Sequence, residues 1–328
     1  MPLTLHQFIL KNQMESDSGV FSSIMEDVAL ACRMVAAKLR YGHISGDMGK
    51  DGKTNASGDS QVSIDILAND IFVELCKNNG NIRAIASEEL DEIHYFENAK
   101  DGKYILVIDP LDGSANLEIN GPVASIFSIC LAPGKENISE EDIFECARKP
   151  VAAGICLYGL STFFSYTTGD GVHGFSHDLE SGTFLYTHPF MKVLPVAKEV
   201  AINYANKCFW NKAITRYVDE CFLGESGPRK RYFNTRWYAS AAAELNRILI
   251  KGGVFIYPAC SNGKPQGVLR KLYEAWPMAM MIEAAGGKAT NGVERILDVP
   301  ATSLHEKTPF VMGSVEEVDL IKAYHLES

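Results

Sequence analysis

Apolar positions recur along the chain first at a helical period and then at a strand period. Over residues 22–41, SSIMEDVALACRMVAAKLRY, the positions Ile24, Val28, Ala31, Cys32, Val35 and Leu39 fall on one helical face, with Ser22 or Ser23 placed to cap the first turn. A second amphipathic helix is expected over 61–78. Between them GDMGKDGKTNASGD is dense in glycine and polar residues and reads as a mobile surface loop, of the kind that closes over sites. Strands are expected at 82–86 (IRAIA), 104–108 (YILVI), 123–131 (VASIFSICL), 151–158 and 161–168, where β-branched and aromatic residues concentrate. The stretch MKVLPVAKEV near 190–200 reads as a hinge between two halves. Beyond it helices are expected over 211–222 and 238–250, a strand over 253–257 and a long helix over 272–285. The pattern predicts a layered α/β fold with mixed sheets rather than a regular βαβ series.

Length and charge narrow this picture. At 328 residues the chain suits one large or two medium domains. No window approaches ~18 uninterrupted apolar residues, and MPLTLHQFIL lacks a basic leader followed by a long apolar run, so a cytosolic protein with no membrane partner is expected. The eight cysteines are scattered without a CxxC, which argues for reduced, mostly buried thiols. A net charge of −10 disfavours nucleic acid as a partner, because phosphate backbones would be repelled.

Chemistry concentrates at residues 107–116, VIDPLDGSAN. Two carboxylates ~5 Å apart repel by roughly 3 kcal/mol at an effective dielectric near 20. A divalent cation offsets that repulsion while keeping both Asp109 and Asp112 ionised. The alternative is an ordinary turn, since Asp-Pro and Asp-Gly are common turn formers. Further acidic residues stand at Glu88-Glu89, at Asp59 and Asp65 in GDSQVSID, and at Glu274 in KLYEAWP. Strand ends on one sheet edge can bring Glu88, Asp109 and Asp112 together, and such hard oxygen donors suit magnesium. The small residues Gly113, Ser114, Ala115 and Asn116 can present free backbone N–H groups to a phosphate. Metal carboxylates beside an anion cradle imply phosphate ester hydrolysis.

DPLDGSAN resembles the D-P-(aliphatic)-D-G-(Ser/Thr) signature of magnesium-dependent, lithium-sensitive phosphatases, with the acidic pair in ASEE at 86–89 and the helix YEAWPMAMMIEAAGG at 273–287. More narrowly, KYILVIDPLDGSAN, RWYASAAAELNR at 236–247, VFIYPA at 254–259 and LRKLYEAWPMAMMIEAAGGKAT are similar to class I fructose-1,6-bisphosphatases, from about residue 18 to the C-terminus. The resemblance implies a two-domain α/β/α/β/α sandwich, 1–192 and 193–328, in a homotetramer that takes a sugar bisphosphate substrate. It also implies two or more Mg2+ ions per subunit, with Mn2+ as a substitute. Implied metal ligands are Glu88, Glu89, Asp109, Asp112, Glu274 and the Leu111 carbonyl, with Asp59 at an additional ion. Asp65 and Glu89 would help take the proton from the attacking water, against a bland reading of Asp65 as helix cap or surface charge. Ser114, Ala115 and Asn116, with Arg270 nearby, would cradle the 1-phosphate; Asn203, Tyr257 and an Arg236 reaching from a neighbouring subunit would hold the far phosphate. Arg229, Lys230 and Arg231 in PRKRYFNTR are expected to form a solvated basic loop.

The chain departs from that family at several positions. Val268 stands where a phosphate-binding lysine is usual, leaving Lys264 as a candidate replacement, and Trp237 stands in place of a tyrosine. Both changes bear on substrate range, so sedoheptulose 1,7-bisphosphate is an alternative to fructose 1,6-bisphosphate. At the family's AMP site the chain has Ser18-Gly19-Val20, Lys103-Tyr104 and Leu131, keeping the Lys-Tyr pair but losing a glutamate and an arginine. Weak or absent AMP inhibition is expected. An inositol monophosphatase-type enzyme would be a shorter chain without RWYASAAAELNR and IYPA. A noncatalytic phosphosugar sensor would not require Asp65 beside Glu89.

Overall fold

The computed structural model describes residues 2–12, 19–45, 50–54 and 60–327. Strands β1 (Lys50–Thr54) and β2 (Ser60–Val62) pair antiparallel, so part of the stretch expected as a loop satisfies its backbone groups in a ribbon. Eight strands form one mixed sheet: β3 (Ile82–Ser87), β4 (His94–Tyr95), β5 (Tyr104–Asp112), β6 (Val123–Leu131), β7 (Ala152–Tyr158), β8 (Thr162–Thr167), β9 (Val172–Asp178) and β10 (Thr183–Met191). Their order is β10-β9-β8-β7-β6-β5-β3-β4, antiparallel except for the parallel pair β3·β5. Five more form a second sheet in the order β12-β11-β13-β17-β15: β11 (Glu199–Ala201), β12 (Asn234–Thr235), β13 (Val254–Tyr257), β15 (Lys288–Thr290) and β17 (Phe310–Gly313). A small ribbon joins β14 (Leu269–Arg270) to β16 (Lys307–Thr308).

Alternating side chains sort these sheets into layers. On β5, Ile105 and Val107 face one core while Leu106 and Ile108 face another. Helices Val20–Ser45 and Ser63–Asn79 cover the second of these faces, burying Ile24, Val28, Cys32, Val35, Ile64 and Phe72. Helices Ala241–Lys251 and Trp276–Ala284 fill the other, and the same core takes Phe255, Phe310 and Met312 from the second sheet. Val254, Ile256 and Val311 point away from it onto helices Lys212–Phe222 and Val315–Glu327. The result is an α/β/α/β/α stack, and its central helical layer touches both sheets.

Several expectations needed adjustment. β9 and β10 extend the first sheet where no strand was expected, and β10 runs through Met191 into the supposed hinge. β10 is an edge strand, which is where Pro189 can sit without costing a ladder hydrogen bond. The long helix over 272–285 starts instead as a π-helical turn, Lys271–Ala275, in which Trp276 donates its backbone N–H to Lys271 O. Pro277 follows at the start of the α-helix and has no N–H to bond the Tyr273 carbonyl, which favours the wide turn. Arg229 is no solvated cation. Its side chain is largely covered and pairs with the buried Glu317 at 2.6 Å, while Arg231 reaches Glu316 and Glu317 at 3.2 and 3.5 Å. Burial of Glu317 on the C-terminal helix recruits these arginines, because an unpaired buried carboxylate would be costly.

Candidate active site

The spacing of Asp109 and Asp112 is resolved by a β-bulge. In a regular strand, residues three apart point to opposite faces. Here Asp109 lies opposite Ile126 and Asp112 opposite Ala124, so three steps along β5 match two along β6. The extra residue turns both carboxylates to the central helical layer. There they meet Glu274 from the π-helical turn: one carboxylate oxygen from each of Asp109, Asp112 and Glu274 lies within 4.8 Å of the others, and all three residues are buried.

Glu88 joins them because β3 and β5 run parallel and end at the same edge, where Glu88 N donates to Ile108 O at 3.1 Å. Arg270 stands across the cluster, 3.1 Å from Glu88 and 3.8 Å from Glu274, and its backbone N–H donates to Glu274 Oε2 at 2.6 Å. Ser240 Oγ and the Ala242 N–H both donate to Asp112 Oδ2, at 2.7 and 3.0 Å, so Asp112 caps the start of helix Ala241–Lys251. Leu111 N–H donates to Asp109 Oδ1 at 2.9 Å.

Burial raises every one of these carboxyls above its ordinary value. Glu88 is pushed up to about 7 by burial, opposed by Arg270 and aided by Glu89. Asp109 is raised well above the carboxylate range by burial and then by Glu88 and Asp112. Glu274 is raised likewise by burial, with Arg270 opposing and Glu88 adding. Asp112 is raised by burial against the hydrogen bonds from Ser240 and Ala242. Among the described residues four acids face one arginine, so acids outnumber cations in the cluster. Its all-oxygen donor set fits a hard divalent cation.

The remaining expected residues fall around this cluster. Gly113 adopts the left-handed conformation, φ 77°, and a Cβ there would come within 2.8 Å of Ser240 Cβ, so only glycine fits between β5 and the 3-10 turn Ser114–Ile119. Ser114 and Ala115 open that turn, while Asn116 Nδ2 donates to the carbonyls of Pro122 and Tyr238 at 2.9 and 2.8 Å. Asp65 is buried in the first turn of Ser63–Asn79. One helical turn on, Asn69 Oδ1 accepts from Ser87 Oγ at 2.8 Å, tying that helix face to the strand end carrying Glu88 and the half-buried Glu89. Asp59 lies outside the described residues.

Tyr257 is close enough to feel the cluster: burial first, then the charges of Glu274 and Asp112, raise its phenol. Trp237 stacks on Phe255 with ring centroids 5.8 Å apart and meets Tyr257 edge-on at 5.7 Å. Asn203 caps the 3-10 helix Tyr204–Phe209, its Oδ1 accepting from Ala205 N–H. Lys264 is exposed in a tight turn closed by its backbone pairing with Cys260. Arg236 is half-buried beside Glu199 and Tyr238. Ser240 was not among the expected site residues, although a serine directly before a helical run is a recognisable cap signal.

An α/β/α/β/α stack holding a buried, oxygen-rich acidic cluster beside a glycine turn defines a protein of the sugar-phosphatase type. A family model for the N-terminal domain of fructose-1-6-bisphosphatase matches residues 3–189, and one for its C-terminal domain matches 193–326. The chain is 42% identical to a class 1 fructose-1,6-bisphosphatase of Methylobacillus flagellatus, over 98% of each chain. It is 40% identical to one of Halorhodospira halophila, over 99% of this chain and 98% of the other. It superposes on the Leishmania major fructose-1,6-bisphosphatase in holo form with a TM-score of 0.92 at 33% identity, covering 99% of this chain and 100% of that one. The T-state structure of the same enzyme gives 0.87 at 31% identity, covering 99% of each chain. The chain belongs to the fructose-1,6-bisphosphatase family, and it is a phosphoric monoester hydrolase.

Proposed function

We propose that the protein removes the 1-phosphate of fructose 1,6-bisphosphate, with Mg2+ or Mn2+ at the acidic cluster, yielding fructose 6-phosphate and phosphate. The observation that carries this reading is the convergence of Asp109, Asp112 and Glu274 within 4.8 Å, with Glu88 held beside them by Arg270. Glu88, Glu89, Asp109, Asp112, Glu274 and the Leu111 carbonyl would hold two or more ions, with Asp59 at a further one. Bound there, a divalent cation supplies positive charge to the phosphoryl oxygens and to the attacking water.

The chain's own groups supply position and proton transfer. Ser240 and the Ala242 amide both engage Asp112 Oδ2 and so fix the carboxylate beside the cluster. Gly113, Ser114 and Ala115 present backbone N–H groups and the Ser114 hydroxyl to the 1-phosphate, while Asn116 completes the cradle by fixing its turn through bonds to Gly113, Pro122 and Tyr238, with Arg270 as countercharge. Asp65 and Glu89 accept the proton of the water. Asn203 and Tyr257 bind the far phosphate with an Arg236 from a neighbouring copy, so self-association completes the site, and the family suggests that the working form is a homotetramer.

We take 1–192 as the domain carrying most of the metal carboxylates and 193–328 as the sugar and distal-phosphate domain. A cytoplasmic setting agrees with eight unpaired cysteines, and no helix among the described residues is long and apolar enough to cross a membrane.

A second substrate, sedoheptulose 1,7-bisphosphate, is favoured by Trp237, whose indole packs on Phe255 where a hydroxyl is usual, and by Val268. Phosphate release from both sugar bisphosphates, with Mg2+ and with Mn2+, tests the assignment: no release from either would sink it, and the ratio ranks the substrates. At the effector site Leu131 is exposed on the strand end facing Tyr104, Lys103 is exposed, and Ser18 lies outside the described residues. Without the charge-assisted contacts, each worth about 1.5–3 kcal/mol, micromolar AMP is expected to leave turnover unchanged. Inhibition in that range would refute this part.

A further inference from the structure

A chain of ion pairs, buried at Glu244 and Arg247 and half-buried at Arg236, runs beneath the segment that links Arg236 to Asp112. Glu244, fully buried in the first turn of Ala241–Lys251, accepts the Tyr238 N–H at Oε1 (2.8 Å) and Arg247 Nε at Oε2 (2.7 Å). Arg247 donates from Nη1 to Glu199 Oε2 at 2.9 Å and to Gly252 O at 3.2 Å. The other Glu199 oxygen lies 3.5 Å from Arg236 Nε. From Tyr238 the path continues to the cradle, since its carbonyl accepts from Asn116 Nδ2, and two residues on Ser240 grips Asp112. Between them Ala239 sits at φ 56°, a left-handed conformation that an alanine keeps only where its surroundings over-determine it. Arg236, Tyr238 and Arg247 line one open cavity of about 650 Å³.

Stability alone is a weak reason for such a network, because apolar packing replaces buried ion pairs at little cost. Its two ends are informative: one bears on Arg236, assigned to the far phosphate in a neighbouring copy's site, and the other on the residues assigned to the reacting phosphate in this copy's own. We propose that Glu199, Arg247 and Glu244 form a positioning frame that holds Arg236 and the Asp112–Asn116 cradle in fixed relation. This rests on the function proposed above. Glu199 acts through Arg236, and Glu244 acts through the Tyr238 backbone on Asn116. Arg247 joins the two arms, and all three act by position rather than in the chemical step.

Steady-state kinetics of the intact oligomer with fructose 1,6-bisphosphate and Mg2+ test the frame in Glu199→Gln, Glu244→Gln, Arg236→Ala and the double variant Arg236→Ala/Glu199→Gln. Glu199→Gln is expected to raise KM about five- to tenfold with kcat within about twofold, the signature of lost binding rather than lost chemistry. In the Arg236→Ala background the same change should add less than about twofold, because residues acting along one path are not additive. Glu244→Gln should lower kcat about tenfold with KM little changed, since its arm bypasses Arg236. Additive effects of the Glu199 and Arg236 substitutions, or an unchanged KM in Glu199→Gln, would overturn the frame. Circular dichroism checks folding; should Glu244→Gln not fold, the Glu199/Arg236 cycle decides. A wild-type enzyme that releases no phosphate would overturn the function and the frame together.

Discussion

A lone buried carboxylate, Glu317, and a buried cluster of four are handled in opposite ways in this molecule. Glu317, with no exposed surface, accepts from the Tyr217 hydroxyl and Arg229, both at 2.6 Å, and has Arg231 within 3.5 Å. Its charge is matched by groups of the chain itself. Glu88, Asp109, Asp112 and Glu274 are also buried but, among the described residues, share one arginine, Arg270. The first arrangement is complete and ties helix Val315–Glu327 to the arginine-bearing segment. The second is short of positive charge, which is what a site for an external cation requires. Burial of acids by itself says little; the balance of charge around them separates scaffold from chemistry.

Substitutions should divide along the same line. The largest effect is expected in Asp112→Ala, which removes a carboxylate fixed by Ser240 and Ala242: phosphate release should fall by a thousandfold or more, roughly the loss seen when a key electrostatic group is deleted, with the fold retained by circular dichroism. Near-normal turnover in this variant would erase the distinction drawn above. Glu317→Ala should do the reverse, lowering unfolding free energy by about 3–5 kcal/mol because two arginines lose their buried partner, while Mg2+ dependence stays as in wild type. Denaturant melts and a Mg2+ titration on the same variant read both halves of that statement.

Acidity sharpens the contrast further. Glu88 has a folded value near 7, above its ordinary 4.5, so the folded state binds the proton more tightly than the unfolded chain does. Without divalent metal, this contribution to stability is present below about pH 4.5 and lost as pH rises through about 7. Divalent cations bind carboxylates in their ionised form, so a rise in Tm on adding Mg2+ should grow across the same interval. A Tm increment independent of pH would argue against metal at this cluster. The smallest expected change is in Ala239→Gly, which relieves a left-handed alanine: about 1 kcal/mol of added stability or a near-neutral result, with KM little altered, measured by thermal melting and kinetics.

Much of the fold could be read from periodicity. The helix over 22–41 appears as Val20–Ser45, and the strand over 123–131 appears with the same limits. Where reading failed, tertiary context decided. THPFM in β10 carries a proline and mixed polarity, and it is a strand because an edge position leaves its backbone half free. KLYEA has the composition of an ordinary helix, and the following Pro277 turns it into a π-helical turn that carries Glu274. The arginines in PRKRYFNTR look solvated in one dimension because their partner Glu317 is more than eighty residues away.

Residue order alone settled which chemistry is available: carboxylates in DPLDG, ASEE and KLYEA, small residues after Asp112, and apolar runs long enough to build layers, because these depend on local spacing and side-chain type. The bulge that turns Asp109 and Asp112 to one side, the parallel pairing that sets Glu88 beside them, and the matching of Glu317 by Arg229 were decided by the folded arrangement. Each depends on contacts between distant segments, and charge balance is a property of neighbours in space rather than in sequence.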